Sequence, residues 1–347
     1  MNRISGKINF KIYVGILVVL AVIVAVVAIA RLDVLGSKGG RLGKEFKYDV
    51  EDLAQIDPGL ILYEESAEAI KTGFTKAHGI ATDSKGSIYV AGNRAVRTFS
   101  RNGDLLGEIV LEGSSQCVTV KVDGTVYVGF KDHVEVYDVN GQRQSSWDSL
   151  GPDAILTSIV VFRDNIFVAD AGNRVVVRYD TDGNILNQIG KKDPDRNIPG
   201  FVIPSPYFDL AVPRDGLLRV VNPGRLRIET YTLDGDLEFW WGKPSAAVEG
   251  FCGCCNPVNI AVLPDGGFVT CEKGLIRVKI YSAEGAFKGV VAGPEQLAQG
   301  GTARVCLLPN ECQAGGFDVA VDSEGRILVL DTINNNVRIF TKVKGKS

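Results

Sequence analysis

Gly79-Ile-Ala-Thr-Asp-Ser-Lys-Gly86-Ser-Ile-Tyr-Val90 is the stretch whose reading decides the architecture. It is a strand, a turn closed on Gly86, and a second strand with apolar residues two and four positions past that glycine. The spacing returns at Gly124-Thr-Val126-Tyr-Val128, Gly216-Leu-Leu218-Arg-Val220, Gly266-Gly-Phe268-Val-Thr270 and Gly325-Arg-Ile327-Leu-Val329. A sixth copy, Asp164-Asn-Ile166-Phe-Val168, puts Asp at the turn, a residue that tolerates the left-handed conformation better than most. Five positions before each turn residue stands Ala81, Thr119, Ile159, Ala211, Ala261 or Ala320. Downstream, Phe99, Tyr137, Tyr179, Tyr231 and Tyr281 each precede a second glycine (Gly103, Gly141, Gly183, Gly235, Gly285), and Phe340 begins the same pattern in the last copy.

Each unit is three alternating runs separated by Gly, Asp and Asn turns, then a short fourth run such as 104–110, which makes a four-stranded antiparallel meander. Such a sheet cannot cover both of its faces alone, so the copies pack around an axis as blades. The expected fold is an all-β, six-bladed β-propeller over 45–342, preceded by one N-terminal transmembrane helix. The last copy lacks a fourth strand, and Leu60-Ile61-Leu62-Tyr63 is expected to supply it and remove a sheet edge.

At 79–90 and at Phe167-Val-Ala-Asp-Ala-Gly-Asn-Arg-Val175 the chain resembles the NHL-repeat propellers, a resemblance that covers residues 45–342. No copy holds Asn-His-Leu itself; Asn173-Arg174-Val175 comes nearest. WD40 propellers are the other fold of this kind, but their repeated Trp-Asp is reduced here to Trp147-Asp148.

Composition narrows the function. Of 347 residues, 45 % are hydrophobic and 23 % charged, the ordinary globular range. Two histidines, His78 and His133, are too few for a three-histidine zinc site. Residues 1–47 carry eight Lys or Arg against Asp33 and Glu45, whereas the remainder holds 30 basic and 39 acidic residues. An acidic body argues against nucleic acid as a partner.

The basic excess flanks 19 uncharged residues, 12–30, IYVGILVVLAVIVAVVAIA. A helix of that length matches the roughly 30 Å hydrocarbon core. Arg3, Lys7 and Lys11 place the N-terminus in the cytoplasm by the positive-inside rule and the body outside it, periplasmic or at the cell surface. Ala28-Ile29-Ala30 is also a signal-peptidase pattern, but the apolar run exceeds a usual signal-peptide core, so an uncleaved anchor is expected. The organisation read from the chain is a short cytoplasmic tail (1–11), the anchor (12–30), a tether (31–44), the propeller (45–342) and a C-terminal tail (343–347).

In a propeller the loops entering the inner strands share one face, the top, with the turns after the second strands. The loops entering blades 4, 5 and 6 are long, at 190–207, 242–257 and 293–316. Cys252, Cys254 and Cys255 lie in the second of these and Cys306 and Cys312 in the third, while Cys271 ends the second strand of blade 5. Register therefore gathers six cysteines on one end of two blades. Three chemistries fit: disulfides of an exported domain, an iron–sulfur or other thiolate-bound metal among these six, or an exchangeable pair at Cys254–Cys255. Lys273 and Arg277 border Cys271 and either lower a thiol pKa or bind an anion, or are exposed turn and strand charges.

Gly79, Cys117, Thr157, Asp209, Asn259 and Asp318 begin the inner strands and line the channel mouth, with His78 beside them. Asp209, Asn259 and Asp318 suit a hard cation such as calcium or, as short polar residues at strand starts commonly do, bind neighbouring backbone amides. Asp170, Asn222, Glu272 and Asp331 recur after the second strand, as expected of groups that satisfy turn amides. Of Trp240 and Trp241, adjacent on a strand, one either faces out as an interface anchor or joins the packing between blades 4 and 5.

The sequence, through its anchor, its long loops and the lack of a nucleophile–base–acid set, points to a scaffold that binds a protein or ligand at the top face over blades 4–6. It also admits a redox or metal-bearing protein of a membrane electron-transfer system, and a calcium-dependent lactonase-like hydrolase. A nucleophile–base–acid set is not evident in the sequence, and the zinc-dependent lyase among such propellers needs histidines this chain lacks.

Overall fold

The computed structural model describes residues 10–31, 53–66, 68–297 and 315–345, with side chains in the first stretch described for 14–24. The chain divides into two units, Met1–Asp49 and Val50–Ser347. In the first, one helix runs Phe10–Arg31. Its described side chains, Val14 to Val24, are exposed. Within those described residues no helix is long and apolar enough to cross a membrane. Of the expected tether only Arg31 is described, at the end of the helix; 32–44 lie outside the described residues.

The second unit is a six-bladed β-propeller. Its described residues form six antiparallel sheets, five of four strands and one of five. From the axis outward, blade 1 holds Ala77–Thr82, Ile88–Gly92, Ala95–Phe99 and Leu105–Val110, and blade 2 holds Cys117–Val120, Val126–Gly129, Val134–Tyr137 and Arg143–Ser146. Blade 3 holds Leu156–Phe162, Asn165–Asp170, Val175–Tyr179 and Ile185–Ile189. Blade 4 is Leu210–Ala211, Leu218–Asn222, Arg227–Tyr231 and Leu237–Trp241, and blade 5 is Asn259–Val262, Phe268–Glu272, Arg277–Tyr281 and Phe287–Ala292. Blade 6 has Asp318–Val321, Ile327–Asp331 and Asn336–Lys342, closed by Tyr63–Glu65 and Ile70–Lys71.

Closure by an N-terminal segment is as expected, but the segment is different. Tyr63 to Glu65 pair with Lys342 to Phe340. Leu62 instead turns toward blade 5, donating its N–H to Val290 (2.9 Å) and covering Gly289, where any side chain would meet it. An apolar Leu62 is better buried there than at an outer edge.

The middle strands of the blades bury both faces while outermost strands such as Arg143–Ser146 are exposed, and one apolar cluster forms at each junction between blades. Between blades 5 and 6, Val269, Val278 and Ile280 meet Val319, Ile327 and Val329. The repeated aromatics Phe99, Tyr137, Tyr179, Tyr231, Tyr281 and Phe340 are all buried. Burial of one such side chain stabilises by about 1.5–3 kcal/mol, so the blades hold each other. The downstream glycines serve this packing as well as their turns. Gly285 has φ +83° and a Cβ there would stand 2.3 Å from Trp241 of the preceding blade. In the sixth copy the left-handed residue is Arg163 (φ 56°), not the expected Asp164, because the turn between Leu156–Phe162 and Asn165–Asp170 has only these two residues.

Candidate functional site

The inner-strand starts ring the channel mouth, and side-chain hydrogen bonds tie four of the six blade junctions there. Thr157 donates to the Phe208 carbonyl of blade 4. Asp209 Oδ2 accepts from Ile260 N–H of blade 5 (2.7 Å), and Asn259 Nδ2 donates to the Phe317 carbonyl of blade 6 (2.6 Å). Asp318 Oδ2 accepts from Ile80 N–H of blade 1 (2.9 Å). Gly79 closes against blade 2, where a Cβ would lie 3.0 Å from Cys117 Cα.

The second oxygens of Asp209 and Asp318 accept from Leu210 and Val319 N–H, both at 2.8 Å. Each oxygen of both carboxylates thus accepts a backbone N–H, as the strand-start reading expected, and these side chains stitch blades. Among the described residues no group of three or more His, Cys, Asp or Glu is placed to hold a metal. Burial pushes Asp209 up to about 6. Burial and then the Asp209 charge push Asp318 up to about 8. Cys117 and Cys271 are buried near this pair, and burial followed by the Asp318 and Asp209 charges raises both thiols.

Above the ring opens a cavity of about 490 Å³, bounded by His78, Gln116, Thr157, Tyr207, Asn259 and Asp318. His78 is held below its usual range by burial and then by Lys76. A second groove, about 710 Å³, lies on the opposite face between blades 4 and 5, against Arg219, Phe239 and Pro264. His133 is half-buried, bonded to Asp132 (2.9 Å) and stacked on Phe130.

The residues that recur after the second strand pin the top-face loops. Asp170 accepts from Ile155 N–H (3.0 Å) and Asn222 from Val202 N–H (3.1 Å). In blade 5 the device is larger. Glu272 Oε1 accepts from Cys252 N–H (2.8 Å), while Oε2 pairs with Arg277 (2.7 Å) and Lys279 (2.9 Å). Arg277 donates to the Ala246 carbonyl (3.3 Å), Lys279 to that of Gly250, and Tyr281 Oη to that of Glu249 (3.2 Å). Four groups of one sheet thus hold loop 242–257. Glu272, Arg277 and Lys279 are 0–1 % exposed, and burial pushes the Lys279 ammonium down to about 8 against the support of Glu272. Arg277 is therefore a loop anchor rather than an exposed strand charge.

Lys273 is likewise buried, and it faces the thiols. Its Nζ donates to Ser205 Oγ (3.1 Å) and sits 4.7 Å from the centre of the Tyr207 ring, both from the loop entering blade 4. Asn256 fixes the backbone on both sides, donating to the carbonyls of Cys252 (2.6 Å) and Lys273 (3.0 Å) and accepting from Lys273 N–H (2.9 Å). Cys255 lies buried against this group, with Cys254 exposed and the two sulfurs 3.4 Å apart. Burial alone would raise Cys255, but hydrogen bonds from Ser205, Lys273 and Cys254 and the Lys273 charge outweigh it and lower the thiol. Cys254 is raised, first by its bond to Cys255.

The expected cluster of six cysteines divides. Cys254 and Cys255 face Lys273. Cys252 lies on the Arg277–Glu272 side, its thiol raised mainly by burial, and Cys271 lies at the channel. Cys306 and Cys312 fall outside the described residues. The described cysteines, Cys117, Cys252, Cys254, Cys255 and Cys271, are free thiols, so the disulfide alternative finds no bridge among them. Trp241 packs with Phe251, Phe268 and Tyr281, while Trp240 is 52 % exposed beneath the Arg227 guanidinium. Ser205 and Tyr207 were not singled out by the sequence. Their signal was only a place in the long loop entering the preceding blade.

No family model matches the chain, and no curated protein does, so the NHL resemblance rests on the repeat residues. Solved structures do match. A streptogramin B lyase is similar at 12 % identity over 83 % of this chain and 100 % of that one, TM-score 0.56. The WD40 β-propeller domain of Doa1 is similar at 20 % identity over 80 % and 82 %, TM-score 0.53. A catalytically inactive virginiamycin B lyase from Staphylococcus aureus with Quinupristin is similar at 13 % identity over 81 % and 100 %, TM-score 0.55. At these identities the likeness establishes one thing about this chain, its propeller fold.

Proposed function

We propose that the chain is a membrane-anchored, extracytoplasmic binding propeller whose working surface is the top face over blades 4–6, where it docks a protein or ligand. The observation that carries this reading is the buried Glu272–Arg277–Lys279 cluster beneath loop 242–257. Burying three charges is a poor way to stabilise a fold, since apolar residues of similar volume do as well or better. Its effect is to hold a surface loop in one shape beside a cavity whose rim carries Lys76, His78, Gln116, Tyr207 and Asn259. A pre-shaped concave surface with few polar groups is what recognition requires.

Anchoring at 12–30 with the body outside the cytoplasm is supported by the uncharged run and by Arg3, Lys7 and Lys11 before it. Affinity capture with the full chain, comparing native loop 242–257 with a Gly/Ser replacement, tests the reading. Recovery of a specific binding protein falls with the replacement. Equal recovery of the same protein from both would refute it.

A further inference from the structure

Three features of the molecule invite explanation: the acid pair at the channel, the exposed Phe239 and Trp240, and the adjacent thiols beside Lys273. Each oxygen of the acid pair accepts a backbone amide that ties strands together, so the pair serves the fold. Nothing near Phe239 and Trp240 indicates what would cover them. The thiols carry more.

We propose that Cys254 and Cys255 are a dithiol–disulfide pair that exchanges electrons with a dithiol-bearing protein docked at the top face. The geometry separates two roles within one pair. Cys254 is exposed and is the sulfur a docked thiol can reach. Cys255 is buried against Lys273 and Ser205, which are placed to hold a negative sulfur. The sulfurs are already 3.4 Å apart, so closing the bond moves each by less than an ångström. Adjacent Cα atoms stand about 3.8 Å apart, below the usual span of a disulfide, roughly 4.4–6.8 Å. A bond between neighbours is therefore strained and more oxidising than a structural disulfide.

The step balances. A thiolate of the docked dithiol attacks Cys254 Sγ in the disulfide form; the Cys254–Cys255 bond breaks, and Cys255 leaves as a thiolate beside the Lys273 ammonium. The second docked thiol, losing its proton to solvent, attacks its own partner sulfur and expels Cys254, which takes up a proton. The docked protein gains one disulfide, this chain becomes the free dithiol seen here, and two electrons pass. A low-pKa leaving thiol departs faster, and Lys273 supplies that condition. The groups facing Cys255 are Cys254 on its own loop, Ser205 and Tyr207 from the loop entering blade 4, and Lys273 from blade 5. This inference rests on the top-face reading only for the docking of the protein dithiol. The chemistry is tested with a small probe that needs no docking.

The experiment uses the full chain in detergent, oxidised with glutathione disulfide and then blocked with an alkylating agent for peptide mapping. The expected product is a Cys254–Cys255 disulfide. Dithiothreitol then reduces it, and in Lys273→Met that reduction at pH 7 is about tenfold slower, with recovery in Lys273→Arg. Mapping that shows two separate glutathione adducts or untouched thiols overturns the proposal. So does equal reduction of wild type and Lys273→Met. Either result with capture by loop 242–257 intact would overturn the exchange chemistry and leave the binding reading standing.

Discussion

Replacing Glu272 by Gln tests whether buried charge holds the top-face loop. Gln keeps the volume and one acceptor oxygen but leaves Arg277 and Lys279, both buried, without their counter-charge. Arg277 cannot shed its proton. Lys279 can: its pKa is pushed down to about 8 by burial and falls further without Glu272. Each pH unit it must cross to deprotonate costs about 1.4 kcal/mol. Breaking a buried pair by removing one partner costs about 3–5 kcal/mol. The escape through Lys279 puts Glu272→Gln near the lower end, about 3 kcal/mol.

Lys279→Met gives the contrast. Met keeps an apolar stem against Phe251 and Tyr281 and leaves Glu272 paired with Arg277. It loses the donor to Gly250, worth about 1 kcal/mol, and removes a cation that burial disfavours. The expected change is within about 1 kcal/mol of wild type. Urea unfolding of the full chain at pH 7, followed by tryptophan fluorescence, measures both. Equal losses in the two variants, or a loss below about 1 kcal/mol in Glu272→Gln, would refute the reasoning.

Other predictions follow from the ring and the blade junctions. Between pH 4 and 8 the folded chain holds a proton on Asp318 that the unfolded chain has released, so this residue makes stability fall as pH rises through that window. In Asp318→Asn the urea midpoint loses that part of its pH dependence, and an unchanged dependence would contradict the assignment. Gly285→Ala costs more than about 2 kcal/mol, being strained at positive φ and pressed on Trp241, whereas Gly107→Ala, with open space around its Cβ position, leaves thermal stability within about 0.5 kcal/mol. Trp241→Ala costs about 3–5 kcal/mol and Trp240→Ala less than about 1, measured by the same unfolding assay.

The blades were legible because the repeat reports a physical period: turn glycines, alternating strands and a buried aromatic at fixed offsets. Leu62 shows where that reading stopped, since an apolar segment at a sheet edge satisfies pattern equally well packed on the neighbouring blade. In the site, Cys254, Cys255 and Lys273 were legible from register, which locates residues along the axis. Register does not say which way consecutive loop residues point, so the single cysteine cluster became a pair, an outlier at Cys252 and a channel residue at Cys271. Arg277 looked exposed because a strand charge usually is; the long loop folded over it makes the difference. Ser205 and Tyr207 reach Cys255 from another blade, a contact that no local spacing encodes.

The central claim is that the top face over blades 4–6 meets the partner. In cells expressing the full chain, a photo-reactive residue at Pro206, exposed on the rim of that cavity, is compared with one at Asn140, exposed in a turn of the opposite face. The account predicts a discrete cross-linked product from position 206 that disappears when loop 242–257 is replaced, and no such product from position 140. The same product from position 140, or its persistence at 206 after the loop is replaced, would contradict it.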